Sequence, residues 1–188
     1  MAQTLRKLFQ LKISLIGMKP PIWRRLLVPS SMDLSDLHDV IQISMGWTDS
    51  HLHQFIVGDS YYGEPDPDWD DRIIPEKGVR ISSLLKKDKQ WLVYEYDFGD
   101  SWEHRIELEK ILPYNPETIT PICTGGRRGC PPEDVGGVWG YAEFLKAYKD
   151  SNNPEHEEML EWAGEYFDPE KFDMDETNQI LEVEHGTA

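Results

Sequence analysis

Cysteine, long apolar runs and positive charge are what this 188-residue chain has least of. Two cysteines give no disulfide framework, which excludes the small stapled secreted scaffolds and fits a reducing compartment. No apolar stretch reaches the roughly 18 residues a membrane-spanning helix needs. The amino terminus lacks a charged-then-apolar leader with a cleavage site. The expectation is a cytoplasmic protein with no membrane partner. Lysine and arginine number 19 against 35 aspartates and glutamates, a net charge of −16. Proteins that bind nucleic acid take much of their affinity from basic side chains that neutralise phosphates and release counterions. Nucleic acid is therefore not an expected partner.

Several catalytic signatures are missing as well. The chain has no G-x-S-x-G elbow, no H-E-x-x-H helix and no G-x-G-x-x-G fingerprint. The acidic C-terminal stretch does not suit a membrane surface, which selects lysine and arginine.

What is present is a core. The composition is 39% hydrophobic and 11% aromatic, too apolar for a disordered acidic chain. At this length about 70% of the unfolded surface can be buried, so one domain over residues 1–188 is expected. The charge is uneven: residues 1–58 hold six basic and four acidic side chains, so the remainder carries −18. Thirteen of the acids and a single lysine fall between residues 150 and 184.

Residues 8–16 alternate, with Phe9, Leu11, Ile13 and Leu15 on one face, which predicts a half-buried strand. After Pro20 and Pro21, residues 22–28 predict a second strand with Arg24 exposed. Leu34, Leu37, Val40, Ile41 and Met45 then recur at helical spacing, with Ser35 as the predicted N-cap and Gly46 as the stop. Residues 51–57 predict a strand, 58–79 a long connection containing Asp66, Asp68, Asp70 and Asp71, and 81–85 a helical turn. Residues 91–98 and 103–112 predict two strands joined by a turn in which Gly99 takes a positive φ. Residues 113–138, rich in proline and glycine, predict a long loop. Helices are predicted over 141–149, over 155–163 after Asn153 and Pro154, and over 175–181. The C-terminal Phe144, Leu145, Tyr148, Met159, Leu160 and Trp162 are expected in the core. Strands followed by helices give an α+β fold: a mainly antiparallel sheet with an inserted N-terminal helix and C-terminal helices packed on it.

Three constellations carry chemistry. His51 and His53, two apart on a predicted strand, share one face at a spacing of about 7 Å, close enough to converge on one ion. Around the turn at 98–101, Asp97, Asp100, Trp102 and His104 put carboxylates and an imidazole together, a set suited to a hard metal or to acid–base work. The loop from Cys123 to Cys130, continuing through Glu133 and Asp134, lacks the spacing of a zinc knuckle and would need His51 and His53 to complete one. Its glycines beside Arg127 and Arg128 also suit an anion nest.

The segments Ile22-Trp23-Arg24-Arg25, residues 37–41, 45–47 and 51–55, the run 94–104, residues 130–137 with Gly140-Tyr141, and residues 167–173 occur in an order that resembles the plasmid pRiA4b ORF-3-like family. The likeness covers nearly the whole chain. It implies a single α+β domain and association with mobile elements, some members being labelled resolvases or insertion-element passengers. A serine recombinase unites a nucleophilic serine with several arginines and a basic DNA-binding module, and this chain has no such set. The family segments coincide with the three constellations.

Three functions fit these observations. The first is a binding domain whose acidic, aromatic groove takes a protein or a small-molecule ligand. The second is a hydrolase-like enzyme using a divalent metal on His51, His53 and His104, with Asp100 or Glu133 as base. The third is a DNA-associated protein using Arg24 and Arg25. The expected site comprises His51, His53, Asp97, Asp100, Trp102, His104, Glu133 and Asp134.

Overall fold

A computed structural model describes residues 7–65 and 72–185. The run of aspartates at 66–71 lies outside them. The alternating N-terminal segment is strand β1 (Lys7–Leu15), and it pairs antiparallel with β2 (Trp23–Pro29). The periodic segment that follows is helix α1 (Leu34–Met45). The remaining strands are β3 (His53–Val57), β4 (Ser60–Gly63), β5 (Ile73–Pro75), β6 (Trp91–Tyr96), β7 (Trp102–Pro113) and β8 (Ile122–Arg127). Helix α2 (Ile81–Leu84) is one turn, and α3 (Gly137–Lys149), α4 (His156–Ala163) and α5 (Met174–His185) close the chain. One eight-stranded sheet runs in the order β5-β4-β3-β6-β7-β1-β2-β8, antiparallel except for the β4–β5 pair. The fold is α+β, as its residue periods predict.

One face of the sheet is buried. Leu11 and Ile13 of β1, Leu26 of β2, Tyr94 and Tyr96 of β6, and Trp102 and Ile106 of β7 all point into it. Helix α1 covers this face with Leu34, Leu37, Val40 and Ile41, all fully buried. Truncating any such leucine or isoleucine to alanine costs about 2–5 kcal/mol, because the cavity adds to the lost transfer energy. Burying Leu34 requires the helix to begin there, so Asp33 is the N-cap, two residues before the predicted Ser35. Its carboxylate accepts from Asp36 N at 3.0 Å and from Ser35 Oγ at 2.8 Å. Gly46 stops the helix at φ 86°, as predicted.

Four expectations are corrected. Arg24 is not exposed: among the described residues it is the one buried guanidinium, and its Nε donates to Ser44 O at 2.7 Å and Nη1 to Trp23 O at 2.9 Å and Arg127 O at 3.2 Å. Its plane lies over the Phe172 ring, 3.8 Å from the centroid. At the 97–101 turn the positive φ falls on Asp97 and Ser101 and not on Gly99. Within the predicted loop 113–138 lies β8, an edge strand whose Gly126 leaves the space that Phe172 occupies against Arg24. Finally, Leu160 and Trp162 are not core residues but are 37% and 47% exposed. No helix among the described residues is long and apolar enough to cross a membrane.

Candidate functional site

Three irregular segments meet beside the C-terminal end of α1: residues 46–52, the turn at 97–101, and the loop at 131–137. Their backbones are tied by side chains that the sequence places in different constellations. Trp47 Nε1 donates to Pro131 O at 2.9 Å, Asp97 N to Leu52 O at 2.9 Å, and Gly136 N to Asp100 Oδ2 at 3.0 Å. Glu133 accepts from Tyr96 Oη at 2.6 Å, from Thr48 Oγ1 at 2.6 Å and from Thr48 N at 3.1 Å. Burial and the bond to Glu133 both push the Tyr96 phenol pKa up, so it donates as a neutral hydroxyl. Glu133 thus holds three donors on its carboxylate, and Asp100 holds the 131–137 loop through Oδ2; both position their neighbours.

What they position is His51, Asp97 and Asp134. One ligand atom from each lies within 4.8 Å of the others. His51 Nε2 is 3.1 Å from Asp134 Oδ1 and 3.8 Å from Asp97 Oδ2. That nitrogen is shielded from solvent, and despite its short approach to Asp134 it makes no aligned hydrogen bond. Ligand atoms bound to one ion at about 2.0–2.2 Å stand about 3–3.5 Å apart when adjacent. The 3.1 Å approach to Asp134 falls in that range without the alignment of a hydrogen bond, and the 3.8 Å approach to Asp97 lies just outside it, so an ion would have to draw Asp97 inward. Asp97 and Asp134 both sit in the left-handed region, at φ 57° and 62°. Aspartate tolerates it, and single residues held there concentrate at functional sites.

A second cluster adjoins the first. The rings of His38 and His53 stack with centroids 3.5 Å apart and planes 7° from parallel. His38 Nε2 is 2.9 Å from Asp49 Oδ1, and His53 Nε2 is 2.9 Å from Glu76 Oε2. Partners fix the His38 tautomer. Asp49 N donates to Gln42 Oε1 at 3.1 Å, which turns the amide nitrogen of Gln42 to donate to Tyr94 Oη at 2.8 Å. Tyr94 Oη then donates to His38 Nδ1 at 2.8 Å, leaving the proton on Nε2 to bond Asp49. Burial, and then the neighbouring His53, lower the pKa of His38, which keeps that ring neutral. One ligand atom from each of His38, Asp49 and His53 also lies within 4.8 Å of the others, so this trio has the proximity of metal ligands too, but His38 Nε2 and His53 Nε2 are each already 2.9 Å from a carboxylate, an arrangement that also suits proton handling.

The second cluster and His51 of the first line a cavity of about 630 Å³. Asp39, Asp49, Glu64 and Glu76 line it along with His38, His51 and His53, while Phe98 and Ile73 add apolar wall. No lysine or arginine is among its described lining residues.

The expected site is therefore partly assembled. His51, Asp97 and Asp134 come together, and His53, paired with a different carboxylate, shares a cavity with His51. His104 does not join them, which corrects the three-histidine ligand set. It is fully buried beneath Trp47, its Nδ1 donates to Trp102 O at 2.9 Å, and burial pushes its pKa down to about 4. Trp102 is also fully buried and lines no part of the cavity. The cysteines are free and belong to neither cluster. Burial raises the Cys123 pKa and pushes that of Cys130 up to about 12, so both are thiols. Arg128 pairs with Glu170, and Gly129 packs against the Asp168 carbonyl, so the proposed anion nest is filled by the chain itself.

Sequence reasoning missed His38, Asp49 and Glu76. A signal existed for His38, which interrupts the apolar stripe of α1 between Leu37 and Ile41. Asp49 and Glu76 stand in irregular segments with no pattern to mark them.

Comparison with known proteins follows the same outline. Residues 7–176 match the family model described as plasmid pRiA4b ORF-3-like protein. A protein of Sinorhizobium fredii described as uncharacterized protein y4hQ is 42% identical over 156 residues, 82% of this chain and 80% of that one. The crystal structure of a protein of unknown function, MM3350 from Methanosarcina mazei, superposes with a TM-score of 0.82 at 41% identity, covering 91% of this chain and 97% of the other.

Proposed function

The chain belongs to the plasmid pRiA4b ORF-3-like family, and from that premise we propose that it is a metal-dependent, hydrolase-like protein that binds one divalent ion between His51, Asp97 and Asp134. The observation that carries this reading is the buried, unbonded Nε2 of His51 facing two carboxylates at 3.1 and 3.8 Å. One imidazole and two carboxylates suit a borderline ion such as Zn²⁺ or Mn²⁺ and leave coordination positions open. An ion there supplies Lewis acidity and lowers the pKa of a bound water. The adjoining cavity holds the small-molecule substrate, and its four carboxylates, with no lysine or arginine among the described lining residues, favour one without negative charge. His53 is the proton acceptor, oriented by Glu76 as a carboxylate orients a catalytic imidazole. In this reading the acidic ligand groove expected from the sequence and the metal site share His51. A DNA-associated reading loses Arg24, which is buried, and finds Arg25 engaged with Glu109 at 2.6 Å.

The test is metal titration by calorimetry on stripped protein, with metal content measured after reloading. One ion per chain is expected, with affinity falling at least about 100-fold in His51→Ala and Asp97→Asn. His104→Leu, which removes a histidine outside the cluster, should retain full stoichiometry. Absence of binding by Zn²⁺ and Mn²⁺, or equal binding by His51→Ala, would refute the assignment.

A further inference from the structure

We propose that the groove between α3 and α4 is the docking site for a basic amphipathic helix of a partner protein. The groove has a volume of about 590 Å³. Val135, Phe144, Met159 and Trp162 supply apolar surface, and glutamates of both helices stand at its edge. Helix α4 has no buried residue at all. It meets the rest of the fold through Met159 and Ala163, which pack half-buried against the core, through His156, whose Nδ1 donates to Ala147 O at 2.9 Å, and through Trp162, whose ring meets Phe144 edge-on at 5.5 Å yet remains 47% exposed. With Leu160 37% and Trp162 47% exposed, this eight-residue helix has apolar surface left to bury.

Charge identifies the occupant. Glu143, Glu155, Glu158 and Glu161 line the groove and no lysine or arginine does. Glu143 meets Lys146 at 2.6 Å, but that pair is more than two-thirds exposed on both sides and exchanges readily with a competing cation. Residues 150–184 around it carry thirteen acids and one lysine. A helix laying Leu, Ile or Phe on the aromatic and methionine floor, with Lys or Arg reaching the glutamates, satisfies both features. A second copy does not, since the helices this chain exposes are themselves acidic. The groove touches the proposed metal site through Asp134 alone, and the inference does not rest on a bound ion.

Calorimetry of the full chain with a synthetic Leu/Lys amphipathic peptide of about 18 residues, at low salt, tests this. A Leu/Glu peptide of the same apolar pattern is the control. Binding of the basic peptide alone is expected, at one per chain. It should weaken at least about tenfold in Glu158→Lys/Glu161→Lys and in Trp162→Ala. The same charge change on α5, Glu182→Lys/Glu184→Lys, should alter affinity less than about twofold, because those charges lie off the groove. All these positions are solvent-exposed, and circular dichroism with metal content verifies that fold and metal site are intact. Failure of the basic peptide to bind, equal weakening by the α5 variant, unchanged affinity in the α4 variant, or a dimer in light scattering that protects Trp162 would each overturn the proposal.

Discussion

Replacing Arg24 with methionine tests how the buried face is held together. The guanidinium makes three bonds to backbone carbonyls, at 2.7, 2.9 and 3.2 Å, on residues of α1, β2 and β8. Hydrogen bonds from a charged donor contribute about 1.5–3 kcal/mol each, and a carbonyl left without its partner in the core costs about 1–3 kcal/mol. Methionine fills much of the volume over Phe172 and removes the cost of a buried cation, which burial already expresses by lowering the Arg24 pKa. The net loss expected is about 3–5 kcal/mol, the range for breaking a buried charged network from one side. With a urea m-value of about 2 kcal/mol/M, the unfolding midpoint falls by about 2 M. Arg24→Lys should recover little, since one ammonium cannot span three carbonyls in a planar fork. Arg25→Met removes a partly exposed pair with Glu109, and should cost under about 1 kcal/mol. A midpoint change below about 0.5 M for Arg24→Met, or one no larger than for Arg25→Met, would show that water or repacking satisfies those carbonyls and would refute the reasoning.

Two further outcomes are expected. His104 titrates near its ordinary 6.5 when unfolded but near 4 when folded, so the unfolded chain binds more protons between those values and stability falls as pH drops through that window. The full shift corresponds to about 3 kcal/mol, and urea unfolding of His104→Leu across pH 4 to 6.5 should show that much less slope; an unchanged slope would assign the effect elsewhere. Gly137→Ala places a methyl group against the Asp100 carbonyl oxygen at a residue with φ 67°. The two loops bearing Asp97 and Asp134 then separate, and calorimetry should show metal affinity lower by about 10–100-fold with the fold retained; wild-type affinity would mean that the loops are not held by this contact.

The strands and helices with strong periods were legible because one side of each faces a single core. Phe9, Leu11, Ile13 and Leu15 alternate since β1 lies at the centre of the sheet with only one face covered. β8 escaped because its glycines serve the neighbours: Gly126 yields to Phe172, whose position no local pattern encodes. Arg24 was misread for a related reason. Alternation within β2 puts Arg24, Leu26 and Val28 on the same side, but charge outweighed position in the reading. The candidate site shows the same division. His51, Asp97 and Asp134 were visible as chemistry in three separate segments, whereas their meeting depends on Glu133, Thr48 and Asp100 bonding across loops. His104 looked like a ligand because its strand spacing from Trp102 is the same whether the shared face meets a cavity or a core.

The hydrogen bonds that begin and end on Asp49 form a closed ring, passing through Gln42, Tyr94 and His38, and every donor in it points the same way round. Such a ring is cooperative and has no local adjustment. Protonating His38 puts a hydrogen on Nδ1 opposite the Tyr94 hydroxyl, which must turn away, meet the amide nitrogen of Gln42 head-on, and force that amide over, so that it releases the backbone of Asp49. The side chain at the cavity wall and the peptide that carries it therefore let go together. Gln42, which touches nothing in the cavity, governs the placement of Asp49 as fully as the histidine beside it.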